Sequence, residues 1–248
     1  MPDPYQERTY RNIVQCNRLQ SFRVVVKETD LFVHAEKNLK SLTRELILQY
    51  RGYIENYIKR HADFARSLRP WHLDRLAPKI VNDMAESGNK AGVGPMAAVA
   101  GAIAEHVGLG LLSHSNEIVV ENGGDVFLKI NRPLTIGIFS GRSPLNMKLG
   151  IKMDAQKTPA AICTSSGTIG HSLSLGSADA VSVVSDSCPL ADAAATAIAN
   201  LVHSKKDVNK AIDVGKNIEG VRGLVVIIGS NIGLWGDLEV VPLKAKKG

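Results

Sequence analysis

Asp192 and Thr196 lie four residues apart in "CPLADAAATAIAN" (188–200). On a helix that spacing stacks two side chains on one face. A carboxylate beside a hydroxyl can hold a hard cation such as magnesium. The same carboxylate could equally do no more than complement the positive end of the helix. A second stretch, "CTSSGTIGHSLSLGS" (163–177), is almost wholly small and hydroxylated. Ser165, Ser166, Gly167, Gly170 and Ser172 leave backbone N–H groups accessible with hydroxyls beside them, the materials of a phosphate cradle. The lysine of a P-loop is missing, so that motif is excluded, and a solvated surface loop is the competing reading. His171 sits inside this stretch, where small neighbours leave an imidazole accessible for acid–base work. Cys163 and Cys188 have no thiolate-stabilising partner nearby in sequence and read as small buried residues.

The third stretch is "VVENGGDVFLK" (119–129). Asn122, Gly123, Gly124 and Asp125 interrupt what reads as one strand. Glycine weakens a strand interior and belongs where the chain bends or where something approaches the backbone closely. The strand therefore either turns sharply or has a ligand against it. In the second case a β-branched residue at 124 should be tolerated by the fold and damage binding instead.

Several elements must position these residues. "SFRVVVKETDLFVHAE" (21–36) reads as an N-terminal hairpin, within residues 1–35. Residues 37–67 read as a helix, with Leu39, Leu42, Leu46, Tyr50, Tyr53 and Tyr57 at three- and four-residue steps. Two prolines in "RPWHLDRLAPK" (69–79) break that path. A very small-residue helix over 95–108 opens at Pro95. Strands are expected over 134–140, 160–167 and 178–186, an alanine-rich helix over 190–203, a polar helix after it, and one or two strands over 221–243. Both small-residue helices precede a Gly-Asp segment, "NGGD" and "WGD", a faint sign of internal duplication. No flexible linker divides the chain, so residues 1–248 read as one α+β domain, with 90–203 as the motif-bearing core and 244–248 as a disordered tail.

Composition bounds the function. The 248 residues are 44% hydrophobic and 22% charged, ordinary for a soluble globular protein. Five of the six net positive charges fall in residues 1–90, but no basic run carries interleaved aromatics, which argues against a nucleic-acid partner. No stretch is long and apolar enough to span a bilayer, and the N-terminus shows no signal-peptide pattern. Three widely spaced cysteines suggest neither a zinc site nor a disulfide framework. A cytoplasmic protein with no membrane partner is expected.

"LADAAATAIAN" resembles the Ala-Asp-Ala-x-Ala-Thr-Ala motif of the ApbE-like superfamily, whose best-known members are FAD:protein FMN transferases. "VVENGGDV" resembles that family's strand ending in Gly-Gly-Asp, and "CTSSG" its Thr-Ser-Gly strand end. With the small-residue helix, these features occur in the family's order over roughly residues 90–203. The whole chain is similar to an uncharacterised cytoplasmic branch of the superfamily. The resemblance implies a T-fold-related architecture of mixed or antiparallel sheets packed with helices. It implies magnesium at Asp192 and Thr196, completed by a backbone carbonyl near the first small-residue helix, and FAD or FMN against Asn122, Gly123, Gly124, Asp125 and Thr164–Gly167. By order, His171 matches the catalytic histidine. The chain departs from the pattern in having no Asp-Pro-x-Thr-Gly after His171 and no Lys-Gly-Tyr in the first helix. Three functions stay open: a magnesium-dependent flavin-nucleotide transferase or hydrolase, a non-catalytic flavin- or nucleotide-binding protein, and an enzyme acting on a pterin- or purine-like ring. The partner expected is a small-molecule nucleotide, with a homodimer left open.

Overall fold

The structure is a computed structural model that describes residues 18–167 and 176–243. His171 and the tail at 244–248 lie outside the described residues. The elements in order are β1 (Gln20–Val26), β2 (Thr29–Ala35), α1 (Lys40–Arg60), α2 (Lys79–Ala91), α3 (Val99–Leu111), β3 (Ile118–Asn122), β4 (Asp125–Lys129), β5 (Leu134–Gly137), β6 (Leu149–Met153), β7 (Ala160–Ser165), β8 (Ala180–Ser185), α4 (Cys188–Ala199), α5 (Val208–Gly215), β9 (Val221–Ile228), β10 (Asn231–Gly236) and β11 (Glu239–Pro242). One sheet runs β1-β2-β3-β4-β7-β8-β9-β10 and a smaller one β11-β6-β5. Every pairing is antiparallel. The class is α+β, as the sequence implied.

Period-two alternation sends successive strand residues to opposite faces of the large sheet. Val33, Val120, Phe127, Cys163 and Val183 face the helices, with Ile47, Met84, Val107 and Ile198 in the same core. Val119, Val126, Leu128, Ile162 and Val184 face the small sheet and pack with Ile136, Ile151 and Met153. Most strands are buried on both faces, which is why β8, buried at every position, alternates only partly.

The glycine-bearing stretch is not one strand. β3 and β4 form a hairpin joined by Gly123 and Gly124, at φ +71° and +113°. A two-residue hairpin loop needs positive φ at this point, and glycine reaches it without strain. Residue 124 therefore answers to backbone conformation. Its added Cβ would lie an ordinary 3.4 Å from the Thr164 carbonyl, yet the φ excludes valine.

Other boundaries differ from the sequence reading for local reasons. α1 stops at Arg60, and a 3₁₀ turn over Ala62–Ala65 follows. The core side of α1 is Thr43, Ile47, Ile54 and Tyr57, while Tyr53 stays exposed. α2 was not anticipated, because its sequence is polar and contains Gly88. Pro78 opens it, and Gly92 in left-handed conformation closes it. Residues 95–98 form a 3₁₀ turn, so the small-residue helix proper starts at Val99. The C-terminal stretch holds three strands, the last of which leaves the large sheet to pair with β6. "NGGD" occupies a hairpin turn and "WGD" the end of edge strand β10, two unlike settings. Among the described residues no single helix is long and apolar enough to cross a membrane.

Candidate functional site

α3 and α4 cross at their first turns on the helix side of the large sheet. Gly101 permits the crossing, since a Cβ there would press on the Cys188 carbonyl and lie 2.9 Å from Cβ of Asp192. Each helix start is capped by a carboxylate from the other helix. Asp192 Oδ2 accepts the Gly101 N–H at 2.9 Å. Glu105 Oε2 accepts the Cys188 N–H at 2.6 Å. Both arrangements put negative charge at the positive end of a helix. Ser187 adds a local cap to α4 through the Leu190 N–H.

The strand ends meet this crossing. Asp125 and Asn122 are cross-strand partners at the closed end of the β3–β4 hairpin, both on the helix face. Asn122 Nδ2 donates to the Ala100 carbonyl at 3.0 Å. Asp125 pairs with Cys163 of β7. Gly124 N–H is held by Glu121 Oε1 at 3.0 Å, from the opposite face. Asp125 and Asp192 are close enough for their charges to act on each other. Burial, and then the Asp192 charge, push the Asp125 carboxyl well above the usual carboxylate range. Burial raises Asp192 in turn, opposed by the N–H groups of Gly101 and Ala100.

Ser165 is on the same face, and its buried Oγ has no hydrogen-bond partner among the described residues. Thr196 is buried one turn along α4 from Asp192. Thr164 faces the other way. Its hydroxyl meets that of Ser182 at 2.8 Å on the small-sheet side, so only its backbone adjoins the cluster. Gly167 is held as a stem: its N–H donates to the Ala178 carbonyl at 2.9 Å, and Gly176 fills the space a Cβ would need. Cys163 Sγ lies 3.5 Å from Cys188 Sγ, and burial raises both thiols, Cys188 to about 11. They are packing groups rather than nucleophiles.

The structure thus brings together Asn122, Asp125, Ser165, Asp192 and Thr196. Glu105 and Gly101 were missed by the sequence reading. The one signal for Glu105 was an acid inside the otherwise small and apolar "AAVAGAIAEHVG". No three His, Cys, Asp or Glu side chains among the described residues are grouped as a self-contained metal centre. The donors present are carboxylates and hydroxyls, the oxygen set that suits magnesium, which keeps water or substrate phosphate as its other ligands. Asp125 is buried and Asp192 half-buried, their negative charges oppose each other, and no described cationic side chain acts on either, so the residues fit a hard cation.

A family model described as "AbpE bacteria" matches residues 11–234. The chain belongs to this family. This AbpE-family chain is 38% identical over 222 residues to a UPF0280 protein of Methanococcus maripaludis strain C7, covering 87% of this chain and 90% of that protein. It is 36% identical over 239 residues to a UPF0280 protein of Methanosarcina acetivorans, covering 95% and 93%. Among solved structures it is similar to a variant of the flavin transferase ApbE from Vibrio cholerae, with TM-score 0.56, 13% identity and coverage of 88% of this chain and 96% of that one. The apo flavinyl transferase ApbE of Pseudomonas stutzeri gives TM-score 0.54 at 14% identity, with coverage of 88% and 93%. At these identities the likeness shows the fold: the AbpE-family chain has the ApbE architecture.

Proposed function

We propose that the protein binds a flavin nucleotide, FAD or FMN, together with magnesium at the crossing of α3 and α4, and that it acts on the nucleotide as a transferase or hydrolase. The observation that carries this reading is the pair of buried Asp125 and half-buried Asp192, which meet beside a Ser165 hydroxyl without a partner among the described residues and have no cation among the described side chains to balance them. The names of the structural neighbours, both flavin transferases, support the flavin.

In this reading Asp192 and Thr196 hold the cation. Bound there, it would supply positive charge against the nucleotide's pyrophosphate. Asn122 and Asp125, the turn at Gly123 and Gly124, and the strand end Thr164–Gly167 bound the nucleotide. The first turn of α3, fixed by Asp192 and Asn122, keeps the wall of the site in place before the ligand arrives, which lowers the cost of ordering. His171 is the candidate proton carrier.

Calorimetric titration of FAD with and without magnesium, wild type beside Asp192→Asn, tests the proposal. Loss of a carboxylate ligand should weaken magnesium-dependent binding by about tenfold or more, since even changes one shell out cost about that much. The asparagine oxygen still accepts the Gly101 N–H, and a buried repulsion is relieved, so the metal-free melting temperature should hold or rise. Equal magnesium-dependent affinity in both proteins would refute the metal role. Chromatography of FAD incubated with the protein then reports cleavage: FMN and AMP appear if the site is catalytic.

A further inference from the structure

The segment between α1 and α2 exposes apolar side chains that nothing in the described chain covers. Leu68, Leu73 and Leu76 are 69%, 56% and 94% exposed, whereas the core leucines Leu31, Leu111 and Leu128 are fully buried. The loop is not loosely held. The Ser67 hydroxyl donates to the Arg69 carbonyl at 2.8 Å. Trp71 tucks inward, edge-on to Phe64 with centroids 5.6 Å apart, and its Nε1 reaches the Tyr57 hydroxyl at 3.4 Å. Asn82 of α2 clamps the far end, donating to the Asp74 carbonyl at 2.7 Å and accepting the Asp74 N–H at 3.1 Å. Asp74 Oδ1 accepts the Leu76 N–H at 2.9 Å. A backbone fixed at three points presents its leucines outward, at a standing cost in water.

The same stretch is basic. Residues 59–76 carry Lys59, Arg60, Arg66, Arg69 and Arg75 against Asp63 and Asp74. The side chains of Arg66, Arg69 and Arg75 are exposed and form no ion pair with any described residue. Exposed leucines amid arginines without an ion-pair partner among the described residues match an anionic lipid surface. The apolar tips enter the headgroup boundary while the guanidinium groups meet lipid phosphates. A protein partner would need a concave, acidic receptor for a side chain as prominent as Leu76. We propose that residues 66–76 form a peripheral docking surface for anionic membranes. The proposal is independent of the nucleotide site. It departs from the expectation of no membrane partner, which rested on the lack of a spanning segment, because a surface loop needs none.

The test is co-sedimentation of the full chain with vesicles of equal parts phosphatidylcholine and phosphatidylglycerol, beside pure phosphatidylcholine, in low and physiological salt. The wild type should sediment with the anionic vesicles only. The variant Leu68→Ser/Leu73→Ser/Leu76→Ser keeps every charge and should bind about tenfold or more weakly, since each leucine contributes apolar burial. The variant Arg66→Gln/Arg69→Gln/Arg75→Gln should lose the salt-sensitive share of binding. Circular dichroism melting checks that the variants fold, and Leu76→Ser alone serves if the triple leucine variant does not. Failure of the wild type to bind overturns the proposal. So does wild-type binding by a folded leucine variant, which would show only the general attraction of a chain with net charge +6. A dimer in solution that the leucine variant splits would assign the loop to self-association and overturn it as well.

Discussion

His34 shows how a single buried side chain couples this fold to pH. It is 3% exposed on the small-sheet side of β2, with Nδ1 sharing a hydrogen bond with the Ser21 hydroxyl at 2.8 Å and Nε2 meeting no partner among the described residues. Burial alone lowers it to about 4. An unfolded histidine titrates near 6.5, so the folded state disfavours the imidazolium. The associated stability is complete above about pH 6.5 and is lost as pH falls toward 4, to a limit of about 3 kcal/mol by linkage. Melting temperatures measured across this window should fall for the wild type. His34→Gln, which stays neutral and can still bond Ser21, should flatten that limb; identical slopes would show that other groups carry it.

At the scale of an element, the β3–β4 hairpin decides what the double glycine is for. With φ at +113°, residue 124 cannot take a β-branched side chain without strain of about 1–3 kcal/mol. Gly124→Val should therefore lower stability in denaturant titration by about that amount. This reverses the expectation drawn from the sequence, in which the glycine answered to a ligand. The ligand argument consequently rests on Asp125 and Asp192, which the hairpin and the α3–α4 crossing bring together. Unchanged stability with lost binding would restore the glycines to the centre of the site.

For the molecule as a whole, the C-terminal strand closes the second core. β11 pairs with β6 in register from Glu239–Lys152 to Pro242–Leu149, and Val240 packs on the cluster beneath the small sheet. Without residues 239–248 the small sheet shrinks to a β5–β6 hairpin, too little to be stable by itself. Such a truncation should lower the melting temperature by roughly 5 °C or more and expose dye-binding apolar surface. A melt and dye response equal to the full chain's would show that β11 is dispensable.

Much of this architecture was legible in the residues themselves. Two short β-like runs located the N-terminal hairpin, and Ser187 and Pro189 marked the start of α4, because strand propensity and caps are local chemistry. The i,i+4 spacing put Asp192 and Thr196 on one face, because helix periodicity is local too. α2 escaped notice because its buried face, including Ser87 and Gly88, becomes apolar in setting only when it packs against its neighbours. Strand pairing brought Asp125 opposite Cys163 and turned the Thr164 hydroxyl away, and register is a property of two strands rather than of one. The exchange of caps by Asp192 and Glu105 joins residues 91 and 83 positions apart. No window along the sequence contains such a contact, nor the approach of Asp125 to Asp192, so the charge that those two carboxylates bring together, and the counter-charge it requires, exist only in the folded chain.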